Sequence, residues 1–344
     1  ARVHLAAGAV VGRNRRAGDR THSSPRRIAF VTDVLNIGLS ALILGLAVWT
    51  IVAREAYAAV VGFIAYGLLL TLVWVQLHGI DVALTEAAIG GGLTGALLIG
   101  AAARLRSSET AARTERPGTA TRWLAAGVSC AVAVALAICV LALPEPAPTL
   151  APEVLANIAV IEVGNPITAV LLAFRAMDTL LEAIVLLFAL IGVWSLAPDR
   201  AWGGRPGLLQ SAGPNGMLAF AARALAPIGV VTGMYVFWIG ADHPGGKFQG
   251  DTILAAMWLL VMMAALADAP PISRRWLRWL LVAGPLAFIA VGVLGAVMAG
   301  AFLSYPHGHA KTLILVIEFA LMPTLTLVLG LMLLGAPLRG EASP

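Results

Sequence analysis

Apolar residues in this chain come in unbroken blocks of about twenty, the length a helix needs to cross about 30 Å of hydrocarbon. They do not recur at helical or strand spacing, as they would on an element with one wet face. The composition agrees: 60% of residues are hydrophobic and 12% are charged, against about 25% charged in a soluble domain. So few charges cannot cover a water-facing surface. The blocks predict an all-α, polytopic transmembrane bundle of about nine spans. They lie at 28–53, 56–77, 82–103, 123–143, 166–197, 218–240, 251–268, 279–303 and 311–335. The fifth is too long for one straight crossing, and its first half holds Pro166, Arg175 and Asp178. A short interfacial or half-buried helix running into a full span is expected there.

Two linkers divide the blocks. Residues 104–122 carry five Arg, and 198–217 are rich in Gly and Pro. The expected organisation is a basic N-terminal segment 1–27, a three-helix segment 28–103, the linker 104–122, a segment 123–197, the linker 198–217, a four-helix domain 218–335 and a tail 336–344. Both linkers and the Arg274/Arg275/Arg278 loop fall on one side of a nine-span chain. The opposite loops 78–81, 144–165, 241–250 and 304–310 carry only Lys247 as a Lys or Arg. Arginine asymmetry predicts that the first side is cytoplasmic. That places the N-terminus outside, although residues 1–27 carry seven Arg. Because the chain also begins at Ala1, this segment is expected to be non-native or disordered.

The 23 Lys and Arg against 18 Asp and Glu do not point to nucleic acid, since most cations sit between apolar blocks. Cys130 and Cys139 share one block and read as small core hydrophobes. No phosphate loop, dinucleotide glycine pattern, zinc-protease motif or iron–sulfur cysteine quartet occurs. No cofactor or metal is expected, and any redox chemistry must sit on another chain. His307 and His309 lack a third ligand.

Charges inside apolar blocks are the informative residues, because each costs about 2.5–3.5 kcal/mol near the bilayer centre on insertion scales. The densest run is Phe174-Arg175-Ala176-Met177-Asp178-Thr179-Leu180-Leu181-Glu182. Its three charges share a helical face. Arg175 can neutralise Asp178, which leaves Glu182 to titrate; a structural ion pair that staples two helices is the alternative. The second run is His78-Gly79-Ile80-Asp81-Val82-Ala83-Leu84-Thr85-Glu86. Asp81 is expected to cap the following helix, and Glu86 precedes glycines that suggest close packing. The third, Gly240 to Asp251, is polar and Gly-rich. It includes Asp242, His243, Gly245, Gly246 and Gly250. It can line an ion entry or form a tight loop with unusual backbone angles. Asp251 suits a helix cap. Glu318 is the intramembrane carboxylate of the last span, with Lys311 two turns before it. Arg223 and Asp33 lie near span ends and can snorkel.

These three runs resemble signatures of Mrp-type multisubunit cation/proton antiporters and the related membrane arms of energy-converting hydrogenases. The resemblance covers nearly everything from about 33 to 335. The 78–86 run looks like the "APDVALTE" signature of an MbhD-like segment, with Ile80 in place of Pro. The 174–182 run looks like the "FRGxDTLGE" signature of an MbhE-like segment, with Ala176 and Leu181 in place of Gly. The 242–250 run looks like the "GHxxPGGGFxGG" loop of an MnhB-like subunit, with Lys247 in place of Gly. The resemblance implies a fused accessory subunit of a sodium/proton antiporter in a bacterial inner membrane, not an enzyme. Other complex subunits, Na⁺, H⁺ and the lipid bilayer would be its partners. Glu182, Glu86 and Glu318 would line the ion path, with Asp81, Arg175 and Asp178 beside it. A redox-driven membrane arm and a purely structural scaffold are the alternatives.

Overall fold

A computed structural model of the chain describes residues 25–112, 118–146, 148–207 and 216–339. Most of the basic segment 1–27 lies outside these residues, as do Arg113, Arg116, 208–215 and 340–344. The described chain is a polytopic helical bundle. Its membrane-length helices are α1 (Pro25–Val52), α2 (Ala56–Gln76), α3 (Ile80–Thr85) continuing through a π-helical stretch Glu86–Leu93 into α4 (Thr94–Ala112), and α5 (Thr119–Leu141). Then follow α6 (Ala151–Ile161), the four-residue α7 (Pro166–Ala169) with a π-helical extension Val170–Phe174, and α8 (Ala176–Trp194). The last part is α9 (Met217–Ile239), α10 (Lys247–Met263), α11 (Arg275–Ala299) and α12 (Ala310–Leu334). Only helices keep every backbone group satisfied in lipid without an edge, and the apolar blocks therefore become helices throughout.

Among the described residues eight helices are long and apolar enough to cross a membrane, or nine if the bent pair Ala151–Ile161 and Pro166–Phe174 is one span. The 17-residue α10 is shorter, about 25 Å at 1.5 Å per residue. It nevertheless runs between the two polar ends of the bundle. At one end gather the segments around Asp81, Asn165, Asp242 and Lys311. At the other, Asp268 binds Arg205 and Arg339, and a two-stranded antiparallel pair joins β1 (Arg205–Pro206) to β2 (Pro337–Arg339). Arg339 donates to both carboxylate oxygens of Asp268 at 2.8 and 3.1 Å. This holds the Asp268 carboxyl below the usual range.

The long fifth block breaks at Arg175, whose backbone leaves the helix (φ −130°, ψ 36°). Thr179 Oγ1 donates to the Leu171 carbonyl at 2.6 Å. Eight residues apart on a continuous helix would be about 12 Å, so the chain turns sharply there. The turn separates a short polar-end segment from the span α8, as the overlong block predicts. Residues 151–174 form two short helices bent by 86°. The first of these, α6, lies within the stretch read above as a loop.

Three prolines sit inside the last helices: Pro227, Pro285 and Pro323. One turn before Pro285, Thr324 of α12 inserts its hydroxyl into the α11 ladder. It accepts from the Gly284 N–H at 3.0 Å and donates to the Leu280 carbonyl at 2.6 Å. A neighbouring helix thus restores hydrogen bonding that the proline kink loosens. Around this crossing Leu172, Leu180, Phe288, Ile314, Ile317 and Leu321 form one core, which ties α8 to α11 and α12.

α5 buries no residue at all. Cys130 and Cys139 are free and exposed on it, so they are not core hydrophobes as the sequence suggests.

Candidate functional site

Helix α3, the Asn165 turn and the glycine loop before α10 meet at one end of the bundle. They do so through Asp81. Its Oδ1 accepts from Asn165 Nδ2 and from the Gly245 N–H, both at 3.1 Å. Asn165 Nδ2 also donates to the His243 carbonyl at 3.0 Å, and its Oδ1 caps α7 by accepting from Ile167 N–H at 2.9 Å. Asp81 therefore does not cap its own helix, whose N-cap Gly79 receives no side-chain bond. The glycine loop supplies donors that outcompete the local cap. Asn165 is 3% exposed, so Asn165→Ala leaves a carboxylate oxygen and a carbonyl short of donors. The expected cost is about 1–3 kcal/mol, read as a fall in the complex's melting temperature. An unchanged melting temperature would show that this clamp contributes nothing.

Behind the clamp lies a cavity of about 260 Å³ whose lining includes Asp81, Thr168, Glu182, Lys247, Gln249 and Glu318. Gly245 and Gly246 shape its rim with φ of 149° and 136°, a region that favours glycine. Gln249 Nε2 donates to Thr85 Oγ1 at 2.8 Å, and Thr168 Oγ1 donates to the Gly240 carbonyl at 2.6 Å. Glu318 is 3% exposed on the inner wall. Glu182 is exposed at the mouth. Tyr305, outside the lining, donates to the carbonyl of the lining residue Leu172 at 2.5 Å. Burial, with a smaller contribution from the Glu318 charge, pushes its phenol well above the usual range.

Lys247 is the residue that sequence reasoning missed. It opens α10, is 4% exposed, and lies electrostatically among Glu318, Glu182 and Asp251. The signal in the sequence was a single lysine in a glycine motif, with an acid four residues on.

Several expected residues are elsewhere. Arg175 and Asp178 pair at 2.6 Å with side chains 70% and 54% exposed. The backbone break takes Arg175 off α8, and neither residue of the pair lines the cavity. Glu86 is partly buried against α2, where a Cβ on Gly67 would come within 3.2 Å of its Oε1. The glycines around it make room for this carboxylate, and it does not line the cavity. Asp251 is no cap either, because α10 starts at Lys247 behind Gly246. Lys311 turns away from Glu318 and binds both oxygens of exposed Asp242 at 2.8 Å. That hydrogen bond holds the Asp242 carboxyl below its ordinary range. His243, His307 and His309 are exposed. Among the described residues no group of three His, Cys, Asp or Glu is placed to hold a metal ion.

Known proteins share this architecture. Residues 41–107 match the MbhD family of MBH subunits. Residues 217–338 match the "Domain related to MnhB subunit of Na+/H+ antiporter". An uncharacterized protein of Methanocaldococcus jannaschii is 26% identical over 165 residues, which are 41% of this chain and 60% of that protein. A chain of the Mrp complex from a Dietzia species superposes with a TM-score of 0.65 at 21% identity, over 94% of this chain and 40% of that one. A chain of the archaeal membrane-bound sulfane sulfur reductase superposes with a TM-score of 0.51 at 24% identity, over 62% of this chain and 99% of that one. This chain thus spans less than two thirds of the M. jannaschii and Dietzia proteins. This chain is a multi-span membrane protein whose two family matches relate it to subunits of the Mrp/MBH type. It carries an MbhD part followed, after α8, by an MnhB-related part.

Proposed function

We propose that this chain is an accessory subunit of a multisubunit monovalent cation/proton antiporter, with sodium as the cation and other membrane subunits as partners. The observation that carries the reading is the cavity that gathers Asp81, Glu182 and Glu318 around a buried lysine. Ionisable groups inside a membrane are costly and mark ion or proton pathways. Glu182 at the mouth is where a hydrated cation meets a carboxylate, and Glu318 is the dehydrated acid beyond it. A cation moves when such an acid exchanges it for a proton. The segment around α8 supplies Glu182 as the MbhE-like part of the assembly. The arginine-rich end faces the cytoplasm of a bacterial inner membrane by the positive-inside rule, and the cavity then opens toward the opposite face.

Glu182→Gln keeps the shape and removes the charge. In everted vesicles that hold the assembled complex, sodium-dependent proton exchange is expected to fall to the level of vesicles without it. Wild-type exchange in an assembled Glu182→Gln complex would remove this carboxylate from the mechanism. The match that spans 99% of a sulfane sulfur reductase chain favours a second reading, a membrane arm driven by redox subunits. Copurification of iron–sulfur subunits with this chain would decide for it.

A further inference from the structure

Asp251 lies in the second turn of α10 with no exposed surface, and neither of its carboxylate oxygens has a hydrogen-bond partner. Buried carboxylates are ordinarily hydrogen-bonded, and leaving one without partners in a membrane-spanning bundle is costly. The Thr326 hydroxyl of α12 faces this carboxylate, and it too is buried without a well-formed hydrogen bond. Two buried polar groups are therefore held side by side between α10 and α12.

Their position joins two spaces. On one side Asp251 is one turn from Lys247 and faces Glu318, and both of these line the 260 Å³ cavity. On the other, Thr326 lines a groove of about 550 Å³ with Leu254, Trp258, Trp276 and Asp268. Asp268 belongs to the arginine-rich end, where it binds Arg205 and Arg339. The groove wall is otherwise apolar, so Thr326 is its polar contact with the interior and Asp268 its polar contact with the far end.

We propose that Asp251 is a proton-carrying residue that links the two spaces, with the Thr326 hydroxyl as its outlet. This rests on the antiporter reading and adds a route within the MnhB-related part. In the inward step an N–H bond of the Lys247 ammonium breaks and an O–H bond forms on Asp251. Lys247, left as the neutral amine, takes a proton from Glu318, and a hydronium ion in the first cavity reprotonates Glu318. Asp251 then gives its proton to the Thr326 oxygen while the Thr326 hydroxyl proton passes to water in the groove. The net result is one proton moved and every group restored.

The test uses the assembled complex in vesicles, with Glu182→Gln alongside. Asp251→Asn is expected to lower sodium-dependent proton exchange at least tenfold, and Asp251→Glu to restore part of it. Thr326→Val is expected to lower it severalfold, whereas Thr326→Ser retains it. A merely structural Asp251 would not titrate. Infrared difference spectra between acid and alkaline buffer should therefore show a protonated-carboxyl band that Asp251→Asn loses. Wild-type exchange in Asp251→Asn beside an inactive Glu182→Gln overturns the relay and leaves the antiporter reading standing. Wild-type exchange in both overturns the two together. An inactive Asp251→Asn whose carboxyl bands equal those of the wild type also overturns the relay. Should Asp251→Asn not assemble, wild-type exchange in Thr326→Val does the same.

Discussion

Lys247→Met is expected to destabilise the assembled complex by about 3–5 kcal/mol, the usual cost of removing one partner from a buried charge group. Met fills nearly the same space, so the loss measures charge and not a void. Lys247 is 4% exposed and is the cation that Glu318, Glu182 and Asp251 share. Without it, Asp251 has neither a hydrogen bond nor a counter-charge. The double variant Lys247→Met/Asp251→Asn should therefore be more stable than Lys247→Met alone. This non-additivity is expected of side chains within one electrostatic group. Thermal unfolding of the purified complex, followed by tryptophan fluorescence, compares the wild type, Lys247→Met, Asp251→Asn and the double variant. Equal or additive losses would show that Lys247 and Asp251 do not act on each other.

The second large effect should come from Gly250, where α9 and α10 cross. A Cβ there would lie 2.7 Å from the Gly233 carbonyl oxygen and 2.8 Å from Phe237 Cβ. Neither atom is the far end of a flexible side chain, so the helices themselves must separate. Gly250→Leu is expected to cost more than about 4 kcal/mol, a magnitude reserved for overpacking and similar core faults, and to prevent accumulation of the complex. Gly38 of α1 has nothing within 4 Å of an added Cβ. Gly38→Ala should be neutral or stabilise by up to about 1 kcal/mol, because glycine is a poor residue for a helix interior. Similar yields of the two variants in a membrane fraction would refute close packing at the α9–α10 crossing.

Much of the fold was legible because hydrocarbon thickness is a ruler. Apolar block length alone located the spans, and the excess length of 166–197 signalled the break that falls at Arg175. At the boundaries α5, α10 and α11 each begin four residues before their apolar blocks. In α10 the first two turns carry Lys247, Gln249 and Asp251, which hide a helix start from any hydropathy reading. The eleven-residue α6 was invisible for the opposite reason, being too short for a crossing. Site residues were harder to read because local rules name the nearest job for a polar group. Asp81 and Asp251 both sit where a cap is expected. One instead clasps a loop 164 residues away, and the other is sealed in the interior. Glu318 was legible as an acid inside a span. Lys247 was not, because its partners come from α8, α10 and α12, and no window of sequence contains them together.

The clasp between Asp81 and the Gly245 amide has a bearing on biogenesis. A ribosome must extend the chain by 164 residues before the first carboxylate meets its donor, and Lys247 follows only two residues later. Until then, the acids of the earlier helices face the insertion machinery without their cation. A nascent chain released before this point is expected to be recognised as defective and degraded, and truncations ending before and after residue 247 should differ sharply in membrane half-life.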